Sequence, residues 1–288
     1  MKVLVTGAGG MLGRDVVAAC AQRGAELVPL ARAAVDITDG PAVDAAFAKH
    51  RPDVVVNCAA WTDVDGAEDH EAEATRVNSQ GAGVVAVAAA DVGAKLLHLS
   101  SDYVFDGRKD APYVESDHGA PLSAYGRSKL AGETSVAVTN RSHFIVRSSW
   151  LFGIGGQNFV ETMLGLATRQ PEVLVVSDQV GSPTYTPHLA AAIARLIEGD
   201  AYGIHHLAAD GSCSWYEFAQ EIFDQSGVEC RVMGATTEML ARKAPRPAYS
   251  VLESERPNAI RLPGWRQGLM EYLAERRSQG GDEHEAAA

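Results

Sequence analysis

Thr6-Gly7-Ala8-Gly9-Gly10-Met11-Leu12-Gly13 decides the fold. It follows the apolar run Val3–Thr6 and precedes an amphipathic stretch, Met11–Arg23. Gly7, Gly10 and Gly13 are spaced GxxGxxG. Glycine permits a tight turn and close approach of the backbone to a pyrophosphate, which then sits at the positive end of the helix. Outward from this loop the first half alternates. Glu26–Leu30, Val54–Asn57, Leu96–Ser100 and Phe144–Arg147 read as short, nearly all-apolar strands. Pro41–His50, Thr75–Val92 and Ala124–Val138 read as helices between them. That alternation predicts an α/β fold: a doubly wound parallel sheet of Rossmann type.

The pattern loosens after Ser149. Asn158–Thr168, a segment from Thr186-Pro187 to about Glu198, and a stretch behind the capping box Ser214-Trp215-Tyr216-Glu217 read as helices. Val173–Val176 and Ile204–Leu207 read as strands. We therefore expect a dinucleotide-binding region over 1–150, with segments around 158–198 returning to it. A smaller C-terminal α/β substrate-binding cap is expected over 151–276, and a disordered tail over 277–288.

The chain has 288 residues, 46% of them hydrophobic and 22% charged, ordinary for a folded protein, and a formal charge of −12. That charge argues against duplex DNA or an anionic membrane as a partner. No uncharged apolar run reaches the roughly 18 residues of a membrane helix, and glycines interrupt the N-terminus too early for a signal peptide. Cys20, Cys58, Cys213 and Cys230 form no CxxC pair. Reduced thiols in the cytoplasm are the simpler expectation.

Three further features carry chemistry. An NAD fingerprint places an acid at the end of the second strand; here that stretch is Leu30-Ala31-Arg32. Arg32, with Arg14 as a second candidate, suits a 2′-phosphate, so NADPH is expected over NADH, with Asp36-Ile37 beside the adenine. Tyr125 and Lys129 lie four apart on one helix face, where an ammonium would stabilise a phenolate. Ser100-Ser101-Asp102 ends a strand at the edge where doubly wound sheets place ligands, and Ser101 could bond a substrate oxygen. His205-His206 lacks a third ligand at a plausible spacing, and the acids of Asp102–Asp117 do not match a calcium loop. A structural pair and a solvated lid are the respective expectations.

Together these residues resemble the extended short-chain dehydrogenase/reductase superfamily, and within it the dTDP-4-dehydrorhamnose reductase family. The carrying strings are the glycine loop, Arg51-Pro52-Asp53-Val54-Val55-Val56-Asn57-Cys58-Ala59-Ala60-Trp61-Thr62-Asp63-Val64-Asp65 and Ser100–Gly107. Tyr125–Glu133, Arg147-Ser148-Ser149-Trp150, Asn158-Phe159-Val160, Asp178–Thr184 and Arg256-Pro257-Asn258 complete the set. The resemblance implies a catalytic group of Ser101, Tyr125 and Lys129. It implies cofactor contacts from Gly7, Gly10, Met11, Leu12, Gly13, Asp36, Ile37, Ala60, Trp61 and Thr62, besides Tyr125 and Lys129. It implies that Ser101, Asp102, Tyr103 and Trp150 touch a dTDP-4-keto-6-deoxy sugar, and Arg256 is our candidate for its phosphates. The implied activity is NADPH-dependent reduction of the C4 ketone of dTDP-4-dehydro-L-rhamnose to dTDP-L-rhamnose. Some members hold a divalent cation between two subunits, which allows a homodimer. Here Asp15 lacks convincing partners, and no metal is expected to be required. A regulatory NADP-binding subunit of the methionine adenosyltransferase type shares the Ser-Asp-Tyr-Val-Phe-Asp-Gly string and is the alternative. Dehydratases want Thr-Asp-Glu where this chain has Ser101-Asp102-Tyr103, and epimerases favour an acid near position 31.

Overall fold

Each short apolar run of the first half becomes a strand of one sheet in a computed structural model, which describes residues 1–285 and side chains through 279. The elements are β1 (Lys2–Thr6), α1 (Met11–Gln22), β2 (Glu26–Leu30), α2 (Gly40–His50) and β3 (Val54–Asn57). Next come α3 (Ala82–Asp91), β4 (Lys95–Ser101), α4 (Ala124–Thr139) and β5 (His143–Ser148). The second half supplies α5 (Phe159–Ala167), β6 (Glu172–Val176), α6 (Thr186–Leu196) and β7 (Gly203–His206). It ends with α7 (Trp215–Ser226), β8 (Arg231–Ala235) and α8 (Trp265–Glu285).

The main sheet has six parallel strands in the order β7-β5-β4-β3-β1-β2. Alternation explains why its strands read as continuously apolar. Val3, Val5, Val54, Val56, Leu97 and Leu99 face one way and pack with Val16 of α1 and Leu189 and Ile193 of α6. Leu4, Val55 and Leu96 face the other way and meet Phe47 of α2 and Val85 and Ala89 of α3. Both faces are covered, as a parallel sheet requires.

The second half divides differently from the expected 158–198. Helix α6 and strand β7 lie with the sheet, whereas Val160, Met163 and Leu164 of α5 pack in a separate core. That core holds Phe152, Val173, Phe218, Trp265 and Tyr272, around a two-stranded parallel pair of β6 and β8. Helix α7 starts at a complete capping box: Glu217 N–H donates to Ser214 Oγ at 3.1 Å, and Ser214 N–H to Glu217 Oε2 at 2.7 Å. Helix α8 runs through Glu285 into the stretch expected as a disordered tail; among its described side chains the last buried one is Leu273, and 286–288 lie outside the described residues.

The span Thr75–Val92, expected as one helix, is interrupted. A helical turn Glu71–Thr75 runs into a π-helical segment Arg76–Gly81 before α3 begins. Among the described residues, no helix is long and apolar enough to cross a membrane.

Candidate active site at the carboxyl ends of the strands

The sheet order reverses between β1 and β3, and the loops after these strands meet there. Gly7 has φ of +68°, and a Cβ on it would fall 2.6 Å from the Ala59 amide nitrogen. Only glycine satisfies both the left-handed turn and that approach. A Cβ on Gly13 would come 2.2 Å from the Gly7 carbonyl oxygen, so the glycines let the loop pack on its own helix. Helix α1 starts with no side-chain cap and no acid in its first turn. Its leading N–H groups, at Met11, Leu12 and Gly13, keep their positive end for an anion. These residues fit a nicotinamide dinucleotide's pyrophosphate.

At the end of β2, Arg32 is 83% exposed and 3.7 Å from Asp36 Oδ2. Asp36 is otherwise occupied: its Oδ1 accepts from Thr38 N–H (2.9 Å) and Thr38 Oγ1 (2.8 Å), and these bonds hold its carboxyl below the usual range. Ile37 is buried against the π-helical segment at Gly81. Past β3, Trp61 is fixed by a residue the sequence did not single out. Asn78, in that same segment, accepts from Trp61 N–H at 2.8 Å and donates to Trp61 O at 3.1 Å and to Ser128 Oγ at 2.9 Å. Trp61 and Tyr125 pack on the same small cluster of Ala67, Ala74 and Ala124, which brings the loop after β3, with Ala60 and Thr62, to the side of α4 that carries Tyr125. Insertions of this kind inside helices cluster at functional sites.

Ser101 ends β4 near Tyr125, and Lys129 follows one turn after Tyr125 on α4 with its ammonium on a backbone carbonyl. Ser123 caps α4, accepting from Gly126 N–H at 3.1 Å, which puts Tyr125 in its first turn. Ser101 lies near enough to the Tyr125 phenol to lower its pKa, while its own proton is donated to Asp102 Oδ1 at 2.9 Å. Lys129 is buried, and its Nζ donates to the Leu99 carbonyl at 2.5 Å. Desolvation lowers its pKa to about 8, opposed by the charge of Glu133 one turn on. The expected acidification of the phenol is not the outcome. Burial, reinforced by the Asp102 charge, pushes Tyr125 up to about 12, against a lowering by Ser101. Tyr125 is thereby kept protonated, the form that can give a proton. Ser100 has the structural role: it donates to Glu133 Oε1 at 2.5 Å, inside a buried pair in which Arg147 meets Glu133 at 2.7 and 2.9 Å.

Other candidates separate. Tyr103 lies edge-on to Tyr125, ring centroids 5.5 Å apart. Trp150, with φ of +50°, stacks on Trp215 at 3.5 Å and 5°, forming an aromatic wall from the cap. Asp102 does not face outward to a sugar. It is 1% exposed, and its two oxygens accept from Ser101 Oγ (2.9 Å) and Ser250 Oγ (2.6 Å). Arg256 is a correction. Its guanidinium donates to the carbonyls of Ile204 (2.7 Å), Ala201 (3.1 Å) and Tyr202 (3.1 Å). These flank the start of β7, at the end of the sheet opposite the glycine loop, and the donors are spent on backbone. The arginine near the site is Arg246, whose charge bears on Tyr103 and which makes a two-pronged pair with Asp65 at 3.0 and 2.9 Å.

The acidic loop after β4 is not a solvated lid. Asp106 accepts from Tyr113 Oη at 2.7 Å, Asp117 from Val114 N–H at 2.8 Å, and Glu115 from Glu255 N–H at 2.9 Å. His206 is buried with its ring on the Tyr113 and Glu253 carbonyls, both at 3.0 Å. Asp15 has its carboxyl raised by burial and lies near Thr186 and Glu275. Among the described residues no group of three or more His, Cys, Asp or Glu is placed to hold a metal ion.

A dinucleotide loop at the switch point and a Ser, Tyr and Lys group at the neighbouring strand end define a nicotinamide-dependent oxidoreductase of the extended short-chain type. Residues 1–278 match the family described as RmlD substrate binding domain. The chain belongs to that family, and its relatives include dTDP-4-dehydrorhamnose reductases. It is 46% identical over 278 residues to the dTDP-4-dehydrorhamnose reductase of Streptomyces griseus, covering 93% of this chain and 91% of the relative. It is 45% identical over 279 residues to the spore coat polysaccharide biosynthesis protein SpsK of Bacillus subtilis, covering 96% and 98%. The crystal structure of the Bacillus anthracis dTDP-4-dehydrorhamnose reductase in complex with NADP superposes with a TM-score of 0.93 at 39% identity, covering 95% and 99%. These relatives support the reductase reading and give no support to the regulatory-subunit alternative.

Proposed function

We propose that this protein reduces the C4 ketone of dTDP-4-dehydro-L-rhamnose to dTDP-L-rhamnose, with NADPH as the preferred reductant. The observation that supports the reading is Ser101 at the end of β4 near Tyr125, with the buried Lys129 one turn on along the same helix, two strands from the glycine loop in the sheet order. A reduced nicotinamide bound along that loop supplies the hydride. Tyr125, held protonated, gives its proton to the carbonyl oxygen as charge develops there. Ser101, its hydroxyl proton held on Asp102 Oδ1 at 2.9 Å, keeps its oxygen beside the phenol and acts on Tyr125 rather than on the ketone. Lys129 stands one helical turn after Tyr125 on α4, and its ammonium, released from the Leu99 carbonyl, would stabilise the phenolate that remains. The Trp150–Trp215 wall offers a flat apolar face to a sugar ring, and the charge of Arg246 lies at the same mouth. The absence of an acid at the end of β2, where Leu30-Ala31-Arg32 stand, favours the 2′-phosphate of NADPH.

Incubating the protein with the keto sugar and each cofactor tests the reading. Loss of absorbance at about 340 nm, the reduced-nicotinamide band, and an NMR spectrum of the 6-deoxy-L-mannose nucleotide are expected. Cofactor binding with no loss of absorbance would refute it. Arg32→Glu is expected to lower the NADPH-to-NADH ratio of kcat/KM by about tenfold or more, the scale of one charge-assisted contact.

A further inference from the structure

A segment far from the catalytic group in sequence, 246–252, runs across the mouth of the site. Val180 N–H donates to Ala248 O and Ser250 N–H to Val180 O, both at 2.8 Å, so one edge is paired with the cap. Tyr113 N–H donates to Val251 O at 2.8 Å, pairing the segment with the loop after β4. Arg246 adds the pair with Asp65, and its charge bears on Tyr103. Pro247 presses on Gly107, where a Cβ would fall 2.6 Å from the Pro247 Cα. From this strap Ser250, 1% exposed, reaches the buried Asp102.

Asp102 is an expensive residue to bury. Its oxygens take two serine hydroxyls, from Ser101 at 2.9 Å and Ser250 at 2.6 Å. No Lys or Arg pairs with it; Tyr125 from α4 and Tyr103 from its own turn are the titratable groups that face it, with Arg246 bearing on Tyr103. A merely structural site would be filled more cheaply by an apolar side chain. What Asp102 does is accept the one proton of the Ser101 hydroxyl, whose oxygen also takes the Tyr103 N–H at 3.2 Å. We propose that Asp102 is a positioning residue for Ser101 and that Ser250 is the strap residue holding Asp102, so that seating of segment 246–252 sets the direction of the catalytic hydroxyl. This rests on the reductase reading above for its effect on turnover, and on the hydrogen bonds alone for its geometry.

Ser250→Ala, Asp102→Asn and the double variant test it. Ser250→Ala is expected to lower kcat about tenfold, the scale of one hydrogen bond to a charged group, with KM for the keto sugar and NADPH affinity unchanged. Asp102→Asn is expected to lose at least as much, and the double variant no more than Asp102→Asn, because Ser250 acts only through Asp102. A raised KM with unchanged kcat, or losses that multiply, would overturn the proposal. Should Ser250→Ala fail to fold, the near-isosteric Asp102→Asn decides by the same kcat-against-KM split. A second readout needs no turnover. The Asp102 carboxyl-carbon NMR signal, assigned by its loss in Asp102→Asn, is expected to titrate near the raised value of about 6 and to move higher in Ser250→Ala. An unmoved signal overturns the geometry; a protein that reduces no ketone but shows the shift overturns the function reading and leaves the positioning device standing.

Discussion

Replacing Glu133 by Gln should separate two duties that meet in one buried carboxylate. Glu133 accepts from Arg147 at 2.7 and 2.9 Å and from Ser100 at 2.5 Å. The pair's side chains are 3% and 5% exposed. Gln removes the charge and leaves the Arg147 guanidinium in the interior without a counter-ion, over the Phe105 ring at 5.0 Å. Breaking a buried pair from one side costs about 3–5 kcal/mol, a large share of the roughly 5–15 kcal/mol that holds a protein folded. In a chain of this size that corresponds to a fall in Tm of roughly 10 °C. The double replacement Glu133→Leu with Arg147→Met removes both charges and should recover most of the loss. It cannot recover the second duty. Glu133 raises the Lys129 pKa against the desolvation that lowers it to about 8. Without the carboxylate Lys129 must titrate lower still, so its ammonium is lost at lower pH and the alkaline limb of kcat moves down. Urea unfolding and a kcat–pH profile on the single and double variants check both halves. A double variant as unstable as Glu133→Gln would refute the pairing argument, and an unmoved alkaline limb would refute the link to Lys129.

Three other outcomes are expected. Tyr125→Phe should reduce kcat about 10²-fold or more, the scale of general acid catalysis, with NADPH binding retained in a fluorescence titration. Gly13→Ala forces a Cβ to 2.2 Å from the Gly7 carbonyl and should weaken NADPH binding by about tenfold or more through overpacking. Gly40→Ala, where nothing lies within 4 Å, serves as its neutral comparison. Arg256→Ala should leave KM for the sugar nucleotide unchanged and cost roughly 1–3 kcal/mol in urea unfolding, since its loss strips donors from three carbonyls around β7.

The sheet was legible because parallel strands buried on both faces are written as short unbroken apolar runs. The runs read at Glu26–Leu30 and Val54–Asn57 match β2 and β3 to the residue, and the others differ by one or two at an end. The glycine loop was legible because its constraint is local, and Tyr125 and Lys129 because four residues is one helical turn. What stayed hidden was contact between distant parts. Ser250 meets Asp102 across 148 positions and Arg246 meets Asp65 across 181, and no periodicity records such distances. Asn78 was hidden otherwise: an inserted residue in a helix leaves the apolar pattern almost intact, so 75–92 reads as one unbroken span. The Arg256-Pro257-Asn258 string showed a cation but not its acceptors, which are backbone carbonyls brought near by the edge strand. The acids after β4 look solvated in sequence because the groups that bind them, such as Glu255, arrive from far down the chain.

The position of β7 in the sheet has a bearing on how the chain assembles. When residues 1–150 have left the ribosome, five of six strands are present, but β5 still shows a bare edge. The strand that closes that edge arrives more than fifty residues later, after the polypeptide has travelled out through Phe159–Val176 and back along α6. A fragment ending near 150 therefore exposes an unpaired apolar strand, a template for sticking to its own copies, whereas one ending just past His206 covers it. Designers trimming this scaffold should therefore treat the returning strand as indispensable.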